Sequence, residues 1–173
     1  AIKKAEKINP NLYILHTTKG WYYYHGYLEY EKALREFYKS LEYQPNDEDA
    51  YMGIASVLRR QGKVKESART FKKAISMNPR SSLNYDQLGE TQYLLREYEA
   101  AQRNLERSIS LAPDDAVAYP FLAWIFIIRE NNIKKARKLL EDHLKNAGSR
   151  LDEFQYNLTM FDNYERQFDN ALN

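Results

Sequence analysis

The sequence predicts an all-α protein, a solenoid in which antiparallel helix pairs stack one on the next. Three observations carry that expectation. Pro10, Pro45, Pro79 and Pro113 are spaced 35, 34 and 34 residues apart, and a fixed period of this length marks a helical repeat array. Residue types recur with the same step, as in Tyr51, Tyr85 and Tyr119, then Ile54, Leu88 and Leu122, then Ala55, Gly89 and Ala123. Ala33, Ser67 and Ala101 form another such column, followed by Phe37, Phe71 and Leu105, and by Leu41, Ile75 and Ile109. Each period also contains two apolar patterns of helical spacing, such as Tyr51, Ile54, Ala55 and Leu58 followed by Ser67, Ala68, Phe71, Ala74 and Ile75. A single helix pair cannot bury both of its faces, so stability has to come from stacking neighbours.

Taken in order, residues 1–12 read as the end of a preceding repeat, with Ala5 and Ile8 on a helix that Pro10 closes. Repeat 1 spans 13–47. Its first helix holds the aromatic run 21–24, and the extra residue between Pro10 and Pro45 leaves its register open. Repeat 2 spans 48–81, with Gly62 between its helices and Pro79 ending the second, since proline cannot continue a helix interior. Repeat 3 spans 82–115 in the same register. Repeat 4 spans 116–147 and begins regularly at Tyr119, Leu122 and Ala123. Its second helix places Ala136, Leu140 and Leu144 in the columns when one residue is inserted near Asn131 or Asn132. Pro120 lies early in its helix, where the missing N–H is tolerated. Ala147, Gly148 and Ser149 supply the closing turn, and 148–173 is a partial repeat 5 with one helix over 151–158 and part of another over 164–172.

Side-chain size and polarity fit this layout. Asp47, Ser81 and Asp115 precede the first helices of their units, where a short polar side chain caps exposed N–H groups. Small residues at Ala55, Gly89, Ala123, Ser67, Ala101 and Ala74 let paired helices approach, while Tyr51, Phe71 and Leu105 fill the space between units. Tyr51, Tyr85 and Tyr119 read as core columns, and Tyr30 and Tyr98 form a second column that Tyr164 joins. Both ends read as cut from a longer array or a multidomain protein.

This pattern resembles the tetratricopeptide repeat family. Repeat 3 carries its motif as Tyr85, Leu88, Gly89, Gln92, Tyr98, Ala101, Leu105, Ser108 and Pro113. Repeat 2 carries it as Tyr51, Ile54, Ala55, Leu58, Gly62, Ser67, Phe71, Ala74 and Pro79. The resemblance covers nearly the whole chain and implies a right-handed superhelical solenoid of antiparallel helix pairs. A weaker similarity, in residues 21–45 and 55–62 with Arg59-Arg60-Gln61-Gly62, is to repeat regions of bacterial signalling proteins such as kinases and adenylate cyclases.

Composition narrows the function classes. Among 173 residues there are no cysteines, which excludes a disulfide framework, a thiolate nucleophile and a cysteine-based zinc site. With 29% charged and 43% hydrophobic residues the chain reads as a soluble domain with a core. The longest apolar stretch, 116–128, contains Pro120 and is too short to span a bilayer, so no membrane insertion is expected. A net charge of +2 sets up no bulk field for nucleic acid or a membrane surface, and no nucleic-acid partner is expected. The balance is local: residues 48–81 hold 8 basic and 3 acidic side chains, and 82–115 hold 3 basic and 7 acidic. The basic excess at Arg59, Arg60, Lys63, Lys65, Arg69, Lys72 and Lys73 reads as a solvated helix face, with a phosphate or acidic-partner patch as the alternative. Tyrosine is the unusual item, at 15 residues, of which eight fall within 13–43.

Nothing in the sequence points to catalysis, a metal or a cofactor. His16, His25 and His143 are scattered and have no metal-ligand spacing. No phosphate loop, nucleophile elbow or paired-carboxylate motif occurs. Asp47, Glu48 and Asp49 suit a helix start. Asn157-Leu158-Thr159 matches a glycosylation sequon, which matters only in a secreted eukaryotic protein. A non-enzyme with a cytoplasmic location is expected.

The family resemblance implies that the first helices line a concave groove that takes partner peptides. Carried over by repeat position, the groove residues are Met52, Ser56 and Arg60 in repeat 2, and Asp86, Gln87, Glu90 and Tyr93 in repeat 3. Repeat 4 contributes Phe121, Trp124 and Ile128, and repeat 1 contributes Tyr22 and Tyr23. For Phe121, Trp124 and Ile128 the alternative is burial against the fifth unit, and for Tyr22 and Tyr23 it is packing against a preceding repeat. Some relatives hold the C-terminal carboxylate of heat-shock chaperones with Lys, Asn and Arg. The corresponding positions here carry Met52, Gly53, Ser56, Leu83, Asp86, Gln87 and Glu90, with two acids in place of bases, which argues against that clamp. The expected function is therefore a protein–protein interaction scaffold with a protein or peptide partner. Self-association through the face around Trp124, or a regulatory segment of a larger signalling enzyme, are the alternatives.

Overall fold

A computed structural model describes residues 9, 11–147 and 151–172. Its elements are α1 (Tyr13–Trp21), a π-helical turn (Tyr22–Tyr27), α2 (Tyr30–Tyr43), α3 (Glu48–Arg60), α4 (Val64–Met77), α5 (Ser82–Leu94), α6 (Tyr98–Leu111), α7 (Ala118–Glu130), α8 (Ile133–Ala147) and α9 (Leu151–Leu172). No strand occurs among the described residues. Successive helices pack as pairs, α1 with α2, α3 with α4, α5 with α6 and α7 with α8, and each pair packs on the next. The result is an all-α helical-repeat solenoid. The helix expected before Pro10 and the turn at Gly148 and Ser149 lie outside the described residues.

Small residues set how closely the pairs approach. Ala55, Ala74, Ala101, Ala123 and Ser67 are fully buried, as are Phe37, Phe71 and Leu105 in the facing column. The tightest contact is at Phe37 of α2, whose ring enters between α1 and α3. A Cβ on Gly53 would lie 2.2 Å from its Cζ, and one on Gly20 would lie 2.4 Å from its Cε1. Those glycines are the space the ring occupies.

The predicted caps divide. Asp47 accepts from the Ala50 N–H at 3.3 Å, and Ser81 accepts from the Asn84 N–H at 3.4 Å. Asp47 does more: its Oδ2 also accepts from the Thr17 and Ser40 hydroxyls, at 2.5 and 2.6 Å, tying α1, α2 and α3 together. Asp115 is not the cap of α7. That helix begins at Ala118, and Asp115 instead accepts from the Val117 N–H at 3.2 Å. Pro120 explains the delay, because it has no N–H to give the carbonyl of Ala116 and the helical ladder starts later.

The turn between the helices of each pair recurs with one conformation. Leu28, Gly62, Arg96 and Asn131 all have positive φ, at 56°, 76°, 60° and 47°. In the second and third pairs the chain closes with bonds from the Lys63 N–H to the Leu58 carbonyl and from the Glu97 N–H to the Gln92 carbonyl. In the first and fourth pairs the equivalent bonds reach one residue further, from Glu29 to Tyr23 and from Asn132 to Phe126. The extra residue of the first unit is therefore the π-helical turn, and that of the fourth lies at the end of α7 beside Asn131.

Three expectations are corrected. The partial fifth unit is one 22-residue helix, α9, and not two; residues 159–163 contain neither Gly nor Pro, and Phe154, Asn157 and Phe161 continue one buried face. Tyr164 is exposed within that helix and does not open a second one, as Tyr30 and Tyr98 do in their pairs. Of the tyrosine column only Tyr119 is buried. Tyr51 and Tyr85 are half-buried, each with a cation over its ring, Lys73 and Arg107 respectively, both at 5.9 Å. The sequon residue Asn157 is helical and buried, and its Oδ1 accepts from Trp124 Nε1 at 3.0 Å.

Candidate functional site

The first helices of the pairs are not evenly spaced. α1 lies close on α3, and α5 close on α7, whereas α3 and α5 approach less closely. Arg59 spans that gap. Its Nη1 donates to Glu90 Oε2 at 2.8 Å and its Nη2 to Gln87 Oε1 at 2.6 Å, so a largely buried guanidinium from α3 is held by a bidentate pair of acceptors on α5. The back of the same group lies over the Phe71 ring, 5.7 Å from its centroid.

In front of this bridge is a cavity of about 690 Å³. The π-helical turn and the end of α1 provide one wall, with Trp21, Tyr24, His25 and Leu28. α3 provides Met52, Ser56, Arg59 and Arg60, α5 provides Leu83, Gln87 and Glu90, and Tyr30 of α2 also lines it. Trp21 stacks on His25 with centroids 5.3 Å apart and meets Tyr24 edge-on at 5.5 Å, so the aromatic wall is internally braced. The Tyr24 hydroxyl accepts from Arg60 Nε at 3.3 Å, which fixes that arginine at the rim.

Of the residues expected from repeat position, Met52, Ser56, Arg60, Gln87 and Glu90 come together here. Gln87 and Glu90 face the cavity while engaged with Arg59. Tyr22 and Tyr23 do not line it. Tyr22 is exposed and paired with Tyr27 through hydroxyls 2.9 Å apart, and Tyr23 packs on the core beneath Lys32. The π-helical turn is the cause: α1 already presents Trp21 to the cavity, and the extra residue after it brings Tyr24 and His25 to the same wall in place of Tyr22 and Tyr23.

Asp86 is 2% exposed, enclosed rather than open to the cavity. Its Oδ2 accepts from Gln87 Nε2 at 3.1 Å, and its Oδ1 is buried with no hydrogen-bond donor. Burial, with the carboxylates of Glu90 and Asp115 adding to it, pushes its carboxyl up to about 7 against the opposing hydrogen bond from Gln87 and the charge of Arg59. Tyr93 and Phe121 meet each other edge-on at 5.5 Å, bridging α5 and α7. Trp124 packs on Phe161 of α9 at 5.1 Å and donates to Asn157, so its side chain is taken up by the fifth unit. Ile128 stands exposed. The apolar face that motivated self-association is thus largely occupied from within the chain.

The basic cluster of the second pair also separates. Lys63, Lys65, Arg69, Lys72 and Lys73 are exposed on and beside α4, as a solvated face, whereas Arg59 and Arg60 belong to the groove.

Trp21, Tyr24, His25, Leu28, Tyr30 and Arg59 were not read from the sequence as groove residues, and Leu83 entered only as a clamp position. A signal for three of them exists. Stepping back 35 residues from Ser56, Arg59 and Arg60, in place of 34, lands on Trp21, Tyr24 and His25. The 35-residue interval between Pro10 and Pro45 is that step.

A helical-repeat solenoid whose first helices enclose a side-chain-lined groove defines a class of protein–protein interaction scaffold. The tetratricopeptide repeat family matches residues 28–82 and again 84–115, between them half of the chain, and this chain belongs to that family. Among curated relatives, Hsp70-Hsp90 organizing protein 3 of Arabidopsis thaliana is 24% identical over 85 residues, which are 49% of this chain and 15% of that protein. The chain therefore spans only a small part of the relatives it matches. Among solved structures, YrrB, a TPR protein with an unusual peptide-binding site, superposes with a TM-score of 0.73 and 21% identity, covering 96% of this chain and 84% of that one. PilF of Pseudomonas aeruginosa gives 0.78 and 19%, covering 90% and 70%. At these identities the structural likeness carries the fold alone. Among the described residues no helix is long and apolar enough to cross a membrane.

Proposed function

We propose that this chain binds an extended segment of a partner protein in the groove between the π-helical turn, α3 and α5. One observation carries the reading: residues from three successive first helices converge on a single cavity of about 690 Å³, with an aromatic wall facing a polar one. Aromatic anchors beside a fixed arginine are the makings of a binding hot spot. A concave surface built by stacked repeats suits an extended ligand, since each repeat offers the same helix face to successive residues of it. YrrB is described as having a peptide-binding site, and the Arabidopsis relative is named for organizing Hsp70 and Hsp90, which supports a protein partner. The division of the array at 13–47, 48–81, 82–115 and 116–147, flanked by parts of further units, belongs to the same proposal.

The two tryptophans give a direct test. A random 12-mer peptide library displayed on phage is selected against the chain, and enriched peptides are synthesised and titrated while the indole resonances of Trp21 and Trp124 are followed. Trp21 lines the groove and should shift, whereas Trp124, covered by α9, should not. Absence of any enriched peptide, or binding that leaves Trp21 unmoved, refutes the groove.

A further inference from the structure

We propose that Leu28 is a specificity-determining lip of the groove, and that the occupant is an extended peptide carrying a large apolar side chain with a carboxylate a few residues away. This deepens the groove reading and rests on it.

Leu28 is out of place twice over. Its backbone sits in the left-handed region, φ 56° and ψ 27°, which disfavours a residue with a branched side chain. The residue is 65% exposed and belongs to no core cluster. At the equivalent turns stand Gly62, Arg96 and Asn131. Those residues either lack a Cβ or have a polar side chain that suits solvent. Stability alone would put glycine or asparagine at position 28 as well. A strained, exposed leucine at the edge of a cavity points to a partner that covers it. Leu83, also exposed, and Met52 line the same cavity, so an apolar side chain entering there meets three aliphatic surfaces.

Charge fixes the second feature. Of the two arginines in the groove, Arg59 is neutralised by Glu90. Arg60 has no ion-pair partner in contact: its Nε donates to the Tyr24 hydroxyl at 3.3 Å, its two terminal nitrogens meet no acceptor among the described residues, and Glu90 acts on it only at longer range. The guanidinium fork is left free beside the apolar lip, and a carboxylate matches it in charge and in planar geometry. The recognising group is a side chain on the rim of α3 braced by a tyrosine of the π-helical turn. The ligand's carboxylate is therefore expected within the segment, and a free C-terminus is not required.

The experiment uses the phage-selected peptides on the full chain. Their consensus should pair Asp or Glu with Leu, Ile, Phe or Trp. Leu28→Gly should weaken binding by about 10-fold or more while raising Tm. Gly62→Leu, which builds the same strained leucine at a turn outside the groove, should lower Tm and leave affinity unchanged. Arg60→Gln should weaken the acidic peptide by about 10-fold and a peptide with Asn or Gln in place of the acid hardly at all. Full affinity in Leu28→Gly or Arg60→Gln, or a consensus without an acid, overturns the proposal even where Trp21 still shifts and the groove itself stands. Peptides that leave Trp21 unmoved overturn both.

Discussion

Replacing Asp86 by Asn should stabilise the protein, and by an amount that depends on pH in a defined way. The carboxyl of Asp86 is buried, its Oδ1 has no donor, and its pKa is raised from 3.8 to about 7. In the unfolded chain it ionises near 3.8, so between that value and 7 the folded state holds a proton that the unfolded state has released. Stability contributed by this group is therefore intact below pH 4, falls as the pH rises through the window from 4 to 7, and levels off above it. Each pK unit is worth about 1.4 kcal/mol. The penalty is then about 2 kcal/mol at pH 5 and about 4 kcal/mol at pH 8, the latter a ceiling. Asn keeps the acceptor for Gln87 Nε2 and places an N–H₂ where Asp86 has an orphaned oxygen, in a field made negative by Glu90 and Asp115. Urea denaturation of both proteins from pH 4 to pH 8 checks it. The difference between variant and parent should grow from below about 1 kcal/mol at pH 4 to about 2–4 kcal/mol at pH 8, a rise in Tm on the order of 5–15 °C. A variant that is less stable at pH 8, or a difference that does not change with pH, would show that Asp86 is ionised and satisfied in the fold.

Other perturbations follow from particular contacts. Gly53→Ala should destabilise by about 1–3 kcal/mol, measured by urea denaturation, because the buried Phe37 ring has no room to yield. Asp47→Ala removes a cap and the shared acceptor of Thr17 and Ser40; a loss of about 3 kcal/mol is expected, and near-neutrality would mean that α1, α2 and α3 are not pinned there. Trp124→Phe keeps a ring against Phe161 but deletes the bond to Asn157. It should cost about 1 kcal/mol and speed proteolysis of α9 ahead of the other helices.

Much of the architecture was legible because the same physical requirement recurs in every unit. A small residue must face Phe71 or Leu105, so Ala55 and Gly89 announce the register of their pairs wherever the period holds. The caps at Asp47 and Ser81 were legible for the same reason. Asp115 failed because a local feature, the missing N–H of Pro120, moved the helix start without changing the spacing. The division of the last unit failed because Leu151–Leu172 lacks a breaker, and continuity of a buried face does not announce itself as a column. At the groove, Met52, Ser56 and Arg60 could be placed from repeat position because α3 is regular. Tyr22 and Tyr23 could not, since the residue count of the first unit told of an insertion but not where the backbone absorbs it. The burial of Asp86 and the grip of Gln87 and Glu90 on Arg59 depend on how far apart neighbouring helices sit, which no single repeat encodes.

The insertion has a wider meaning for how such an array can change the lining of its groove. An added residue in the last turn of a first helix swings the following side chains by roughly 100°, and the left-handed turn at Leu28 then returns the chain to the ordinary path before α2 begins. Core packing on the second helix is insulated from the change, as the undisturbed burial of Ala33 and Phe37 shows. Removing the added residue would be expected to turn Tyr24 and His25 off the groove wall while Trp21, held by α1, stays, with no core substitution needed. The end of α7 carries a second insertion of the same kind, so the two outer units of the described array are adjustable while the two inner ones hold the frame.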